Sequence, residues 1–273
     1  MMIKQPIKRA VKRALMGAGM LLPHAAACSR ILTYHSVGTR DHEMNVTPKC
    51  FCEQMEWLAA ECTVITLAEA AQGHAGVAVT FDDGYRDNLT EAAPILRRLG
   101  IPATLFAVAG RLGAFLDHDA KREDARLLSW DELREFASQG FEVGGHGMSH
   151  ARLSSLDESQ QRAEITGSLD RLREELQCSV LSFAYPYGTA ADYNATSLRI
   201  AQECGCAYAC SNRYGVNRPG SLETFALRRT WIDRSDTLPI FRAKVLGKLD
   251  LLSALEGPAG LRARKWLNRI SGR

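Results

Sequence analysis

Two carboxylates stand side by side at Asp82 and Asp83, directly after the apolar stretch VAVTF at 77–81. Apolar and β-branched residues without a helical period predict a buried strand, and Gly84 lets the chain turn sharply after it. The pair is therefore expected at the carboxyl end of a strand, where α/β folds place ligands and catalytic groups. Adjacent carboxylates repel unless a cation or a proton lies between them. A solvated Asp-Asp-Gly turn is the alternative interpretation.

His146 and His150 are four residues apart, and they too follow a predicted strand, Phe141–Gly144. On a turn or at a helix start this spacing places both imidazoles on one face, as in other histidine pairs that bind zinc. With Asp83 they would make a site of two histidines and one carboxylate with open positions, which is the composition of a catalytic zinc site. A surface or helix-capping pair of histidines is the alternative from the spacing alone.

The elements that must position these residues alternate between strand and helix. Helices are predicted between the strands, with capping boxes at Ser129–Glu132 and Ser155–Glu158 marking two helix starts. The predicted strands are Arg30–His35, Val64–Leu67, Val77–Phe81, Pro102–Val108, Phe141–Gly144, Val180–Ala184 and Ala207–Cys210. This alternation has no internal break, and it indicates a parallel sheet covered by helices. We predict the α/β class and a single-domain, distorted (β/α)7-type barrel.

The composition narrows the class of protein. The chain has 273 residues and a net charge of +3, without an aromatic-rich basic face, so no nucleic-acid partner is expected. Its eight cysteines include no C-x-x-C pair, and they are expected to be free, in a reducing compartment. A metal site at Cys204, Cys206 and Cys210 is the alternative for that cluster.

The two ends of the chain mix basic and apolar residues. Residues 1–28 are interpreted as a basic amphipathic segment, residues 29–256 as the catalytic domain and residues 257–273 as a basic amphipathic tail. Neither end has an apolar run long enough for a spanning helix, but both could contact an anionic membrane surface peripherally. A cytoplasmic or peripheral membrane location is favoured, and cleavage near Cys28 with export is the alternative.

Three stretches in order, TFDDGY at 80–85, HGMSH at 146–150 and YPYG at 185–188, resemble the polysaccharide deacetylase domain, also called the NodB-homology domain or carbohydrate esterase family four. The likeness runs from about residue 77 to 212. LTYHSV at 32–37 and ALRR at 226–229 resemble the permuted branch of exopolysaccharide and poly-N-acetylglucosamine deacetylases. The resemblance implies a metal-dependent hydrolase, with zinc as the expected divalent metal, that removes N-acetyl groups from an amino-sugar polysaccharide or glycoconjugate.

The resemblance also implies roles for individual residues. Asp82 matches the catalytic base and Asp83 the metal-binding aspartate. His146 and His150 match the two metal histidines. Tyr187 matches the tyrosine whose backbone N–H helps to hold the oxyanion.

Two positions depart from the family pattern. Many members carry an arginine at the position of Ala184, where it orients the base; Arg229 is the nearest candidate replacement here. No histidine follows His150, so the family's late catalytic histidine is missing. In the permuted branch its equivalent comes from the early Tyr-His pair, which makes His35 the expected acid for the leaving amine.

Other functions share this set of residues. The same chemistry would serve a deacylase or deformylase of a lipid-linked sugar, so the expected partner is an N-acetylated sugar polymer or a glycolipid. Two histidines and a carboxylate also bind non-haem iron, although the adjacent second aspartate favours hydrolysis. A non-catalytic carbohydrate-binding relative is the remaining alternative.

Overall fold

The structure is a computed structural model, and it describes residues 28–250 except 118, 120 and 121. The predicted basic amphipathic segment at 1–28 lies outside the described residues, apart from Cys28. The predicted basic tail at 257–273 also lies outside them. Among the helices within the described ranges, none combines the length and apolarity needed to cross a membrane.

Seven parallel strands close into a barrel, in which the last strand pairs back onto the first. The barrel strands are β1 (Ser29–Tyr34), β4 (Gly76–Phe81), β5 (Ala103–Ala107), β6 (Glu142–Gly145), β7 (Ser182–Ala184), β8 (Tyr208–Tyr214) and β9 (Leu227–Trp231). Two short strands, β2 (Ser36–Val37) and β3 (Asn45–Val46), form a separate parallel pair beside it. The predicted single-domain (β/α)7 barrel is confirmed.

Helices connect the strands and cover the barrel. They are α1 (Pro48–Glu61), α2 (Leu67–Ala71), α3 (Ala93–Leu99), α4 (Trp130–Ser138), α5 (Glu158–Leu176), α6 (Ala195–Glu203) and α7 (Leu238–Val245). The apolar face predicted for α1 is buried through Phe51, Met55 and Leu58. The capping box at Ser129 is present, because the Ser129 and Glu132 side chains each accept a hydrogen bond from the other residue's backbone N–H.

Two local predictions are wrong. Helix α5 begins after Asp157, whose side chain caps the helix with Gln160 as the reciprocal partner. Ser155 instead ends a short 3₁₀ turn, where its hydroxyl donates to the Arg152 carbonyl. The stretch 64–67 is no strand: it makes a single bridge from Val64 to Val77, because Thr66 already caps α2.

The hydrophobic core has two layers, because alternate residues of each strand point to opposite faces. Val77, Val79 and Phe81 of β4 pack in the layer between barrel and helices. Ala78 packs in the other cluster, with Phe106 and other barrel residues. The same alternation puts Thr80 and Asp82 on the inner side, so β4 delivers Asp82 into the mouth of the barrel.

A polar cluster joins four neighbouring strands at the amino end of β6. The Glu142 carboxylate accepts hydrogen bonds from Thr104 Oγ1 at 2.8 Å, Ser182 Oγ at 2.8 Å and Tyr208 Oη at 2.9 Å. These donors lie on β5, β7 and β8, so every partner of this carboxylate comes from another strand. The cluster satisfies a partly buried charge with hydroxyls and fixes the end of the barrel opposite Asp82.

The cysteines match the prediction of free thiols. All eight are free, and Cys206 and Cys210 are buried. Within the part of the chain that the structure describes, Cys204, Cys206 and Cys210 do not converge as a metal-binding group.

Candidate active site

The residues singled out by the sequence meet at the carboxyl ends of the barrel strands. Asp82 and Asp83 follow β4, and the backbone N–H of Asp82 donates to the Tyr34 carbonyl of β1 at 2.9 Å. His146 follows β6, and its N–H donates to the Ala107 carbonyl of β5 at 2.9 Å. The strand ladder therefore continues to the first site residue on both strands, which fixes their backbones.

Asp83, His146 and His150 form one cluster of potential metal ligands. Asp83 Oδ1 lies 3.5 Å from His146 Nε2 and 3.3 Å from His150 Nε2. The three potential ligand atoms lie within 4.8 Å of one another, and this is the one such group of three within the described residues.

This donor set fits a divalent metal ion. Asp83 Oδ1 is buried and receives no hydrogen bond of good geometry, although two imidazole nitrogens face it. A buried carboxylate oxygen without a partner is costly, and a cation between it and the two nitrogens would remove that cost. Two histidines and a carboxylate also leave coordination positions for water and substrate.

The backbone is strained at this site. Among the described residues, four non-glycine residues have positive φ, and three of them are Asp83 at 73°, His150 at 64° and Tyr187 at 59°. Such conformations cost about 1–3 kcal/mol each and persist where the surroundings hold them in place. Three of the four strained residues therefore carry predicted functional groups.

Hydrogen bonding and burial set the state of the histidines. His146 Nδ1 lies 2.7 Å from the Ala184 carbonyl, so it carries the proton and leaves Nε2 as the free donor atom. Burial lowers the pKa of His146 to about 4, which keeps the imidazole neutral near pH 7. Burial would also lower the pKa of His150, but Asp83 outweighs it and the pKa is raised.

Asp83 itself is held as a carboxylate. Burial alone would raise the pKa of Asp83, but the imidazoles of His150, His35 and His146 outweigh it and hold that pKa well below its usual range. The charged form is the form that binds a metal cation.

Asp82 pairs with Arg229 inside the barrel. Arg229 Nη1 and Nη2 donate to the two carboxylate oxygens at 2.6 and 2.7 Å, and both side chains are almost fully buried. Arg229 is fixed by two further bonds, from Nε to the Ser211 carbonyl at 2.9 Å and from Nη1 to Thr80 Oγ1 at 3.3 Å. Burial opposes the charge of Asp82, but Arg229 outweighs it and lowers the pKa of Asp82.

His35 and Tyr187 lie beside this cluster. His35 follows β1, and its Nδ1 is buried without a hydrogen-bond partner. It is near enough to lower the pKa of both Asp82 and Asp83. The Tyr187 ring lies 4.7 Å from the His150 ring, centroid to centroid, and the residue as a whole is 44% exposed.

Three residues that the sequence did not single out also support the site. Arg152 lies over the Tyr187 ring, with Cζ 4.9 Å from its centroid, and forms an ion pair with the buried Asp192. Glu164, in the middle of α5, accepts hydrogen bonds from the loop between His146 and His150. No sequence signal marks these residues, because each acts through the tertiary packing of a separate loop or helix.

Comparison with known proteins gives the family. The polysaccharide deacetylase family model matches residues 70–209, just over half of the 273-residue chain. The chain therefore belongs to the polysaccharide deacetylase family, as the sequence motifs predicted.

Individual relatives are more distant. The protein YxkH of Bacillus subtilis (strain 168) is 26% identical over 214 residues, which cover 74% of this chain and 72% of YxkH. The poly-β-1,6-N-acetyl-D-glucosamine N-deacetylase of Staphylococcus aureus (strain MRSA252) is 26% identical over 201 residues, covering 67% of each chain. The structure of the Streptococcus pyogenes deacetylase PplD in complex with acetate aligns with a TM-score of 0.69 and 21% identity, over 81% of this chain and 99% of PplD. The similarity to PplD shows that the two proteins share a fold.

Proposed function

We propose that the protein is a metal-dependent hydrolase that removes N-acetyl groups from an amino-sugar polysaccharide or glycoconjugate, with zinc as the metal. One observation carries the proposal. A two-histidine, one-carboxylate cluster at the mouth of the barrel stands beside a second carboxylate, Asp82, which an arginine holds in its charged form. The Staphylococcus aureus relative, named for a β-1,6-linked N-acetylglucosamine polymer, makes that polymer the first substrate to test.

Asp83, His146 and His150 would hold the metal through Oδ1 and the two Nε2 atoms. When bound, the metal would supply Lewis acidity, which lowers the pKa of a water ligand and polarises the amide carbonyl. Asp82 takes the proton from the attacking water. Its two oxygens are oriented by Arg229, and each keeps a lone pair for the incoming proton.

The other two residues act on the substrate. The backbone N–H of Tyr187 donates a hydrogen bond to the oxygen that gains charge when water adds to the amide carbonyl. The His35 imidazole delivers a proton to the leaving nitrogen, so the products are acetate and a free amine. An acid is needed here because an unprotonated amide nitrogen is a poor leaving group.

Acetate release tests the proposal directly. The protein, stripped with a chelator, is assayed on N-acetylglucosamine oligomers with β-1,6 or β-1,4 linkages, before and after stoichiometric Zn²⁺. We expect release that depends on added metal and continues without oxygen. Release that needs iron and oxygen would favour the oxygenase alternative. Metal and oligosaccharide binding without any turnover would favour a non-catalytic relative, and activity only on lipid-linked sugars would favour the glycolipid variant.

Two substitutions separate the roles of the adjacent aspartates. Asp83→Ala should abolish stoichiometric zinc binding, because it removes one of three ligands. Asp82→Asn should keep zinc and lose about 10²–10⁴-fold in turnover, the usual contribution of a general base. Asp41→Asn is the matched control, since its side chain is 97% exposed. Wild-type turnover in Asp82→Asn would remove Asp82 from the mechanism.

The basic ends suggest a site of action. We propose that residues 29–256 form the catalytic domain and that the basic segments at either end contact an anionic membrane surface, at about 1 kcal/mol per basic residue near it. Liposome sedimentation with and without anionic lipid tests this. Equal recovery from both kinds of liposome would contradict membrane contact and leave the deacetylase proposal intact.

A further inference from the structure

The loop from His146 to His150 directs both imidazoles towards Asp83 Oδ1, although its backbone is strained at His150. His150 has φ of 64°, which a non-glycine residue rarely adopts, whereas Gly147 adopts φ of 80° without a steric cost. A five-residue loop that contains such a strained residue does not keep one conformation alone, so neighbouring elements must determine it.

One side of the loop is held by the segment that follows β5. Ala109 N–H donates to the Gly147 carbonyl at 3.0 Å, and Gly110 N–H donates to the Met148 carbonyl at 2.9 Å. Gly110 approaches so closely that a Cβ there would lie 2.3 Å from the Met148 oxygen. These bonds use the loop's carbonyl groups and leave its N–H groups to be satisfied from elsewhere.

Glu164 of α5 satisfies them from the opposite side. Its Oε2 accepts from the backbone N–H groups of Met148 and Ser149, both at 2.9 Å, and its Oε1 accepts from Ser149 Oγ at 2.6 Å. All of the carboxylate's hydrogen bonds therefore go to this loop. Hydrogen bonds to an ionised acceptor are about twice as strong as neutral ones, and the carboxylate is carried by a continuous 19-residue helix.

We propose that Glu164 is the positioning residue of the metal centre, fixing the loop that carries both histidines and thereby setting metal affinity. This inference rests on the proposed function, because it presumes that the histidines bind metal. Glu164 acts through Met148 and Ser149, with α5 as the support. Residues that orient metal ligands typically change metal affinity about 10–100-fold when they are replaced.

A graded set of variants follows from the three bonds. Glu164→Ala removes all of them. Glu164→Gln keeps an amide oxygen for the two N–H groups, and its NH₂ can donate to Ser149 Oγ, because a hydroxyl also accepts. Ser149→Ala removes only the bond to Oε1. The matched control is Glu174→Ala, which removes an exposed glutamate from the same helix.

Zinc affinity, measured by competition with a chromogenic chelator, is the test. We expect Glu164→Ala to bind zinc about 10–100-fold more weakly than wild type, with Glu164→Gln and Ser149→Ala in between and Glu174→Ala unchanged. The absorption spectrum of the Co²⁺-loaded protein should change in Glu164→Ala, because it reports coordination geometry. A purely structural role would instead lower the unfolding midpoint of the metal-free protein and leave affinity and spectrum unchanged.

The experiment distinguishes failure of this inference from failure of the proposed function. Wild-type zinc affinity in Glu164→Ala overturns the inference and leaves the deacetylase proposal standing. If Glu164→Ala does not fold, wild-type affinity in both Glu164→Gln and Ser149→Ala overturns it equally. Failure of the wild-type protein to bind any divalent metal would remove the metal-dependent function, and this inference with it.

Discussion

Replacing Arg229 with methionine should leave the Asp82 carboxylate buried and without its counter-ion. Arg229 supplies both hydrogen bonds to that carboxylate and is itself completely buried. Breaking one partner of a buried ion pair typically costs about 3–5 kcal/mol, because the remaining charge has no compensation. We therefore expect Arg229→Met to lower the free energy of unfolding by that amount at neutral pH.

Part of the lost free energy of unfolding should be recovered when the Asp82 carboxylate is also removed. In Arg229→Met with Asp82→Asn neither charge of this pair remains, although the Ser211 carbonyl and Thr80 hydroxyl still lose the donors that Arg229 supplied. Each such group costs about 1–3 kcal/mol when left unsatisfied. The double variant should be more stable than Arg229→Met, and its loss should be smaller than the sum of the two single losses by about 3 kcal/mol.

Urea unfolding of the four proteins in a double-mutant cycle measures this coupling. A chelator keeps the protein metal-free, so that differences in metal binding do not add to the free energies. Losses that add to within about 0.5 kcal/mol would refute the reasoning, because independent sites behave in that way. Acetate release should stay low in both Arg229→Met and the double variant, since neither has an oriented base.

Three further predictions concern Asp87, whose carboxylate accepts hydrogen bonds from Ser36 Oγ and the Val37 N–H of β2, and two residues of the candidate site. Burial raises the pKa of Asp87 to about 6, so the stability it contributes is present below about pH 4 and lost as the pH rises through 6. Asp87→Asn should therefore gain up to about 3 kcal/mol relative to wild type between pH 4 and 7, and a pH-independent difference in urea unfolding would contradict this. His35→Gln should lose about 10²–10⁴-fold in turnover at unchanged zinc content, and undiminished turnover would exclude it as the acid. Gly110→Ala should weaken zinc binding, because its Cβ would lie 2.3 Å from the Met148 oxygen, whereas Gly220→Ala meets open space and should bind as wild type does.

Much of the fold could be predicted because its signals are local. The apolar run before Asp82 and the strand before His146 both end where polar side chains begin, so the sequence alone places these residues at one end of a parallel barrel. The N-cap of α5 lies two residues beyond the predicted one, because Ser155 and Asp157 are both good capping residues. The intervening 3₁₀ turn, which decides between them, depends on tertiary packing.

The features that the sequence did not predict are contacts between residues far apart in the chain and residues with a strained backbone. Asp82 and Arg229 are separated by 147 positions, and only a family resemblance suggested their pairing. Glu164 has no local signature, since a glutamate within a helix is usually solvent-exposed. The left-handed backbone at His150 and Tyr187 could not be inferred either, because these residue types rarely adopt it without support from the rest of the structure.

Closure of the barrel between β1 and β9 has a consequence for the order of folding. The two strands are about 200 positions apart, as the bond from Arg30 to Thr230 shows. During synthesis the strand before Asp82 therefore emerges long before β9, and the closing pair cannot form until nearly the whole described chain is available. Until β9 is available, the Asp82 carboxylate cannot form its ion pair with Arg229. The Asp82 carboxylate should thus be paired and oriented only in a late folding step, when the ring of strands closes.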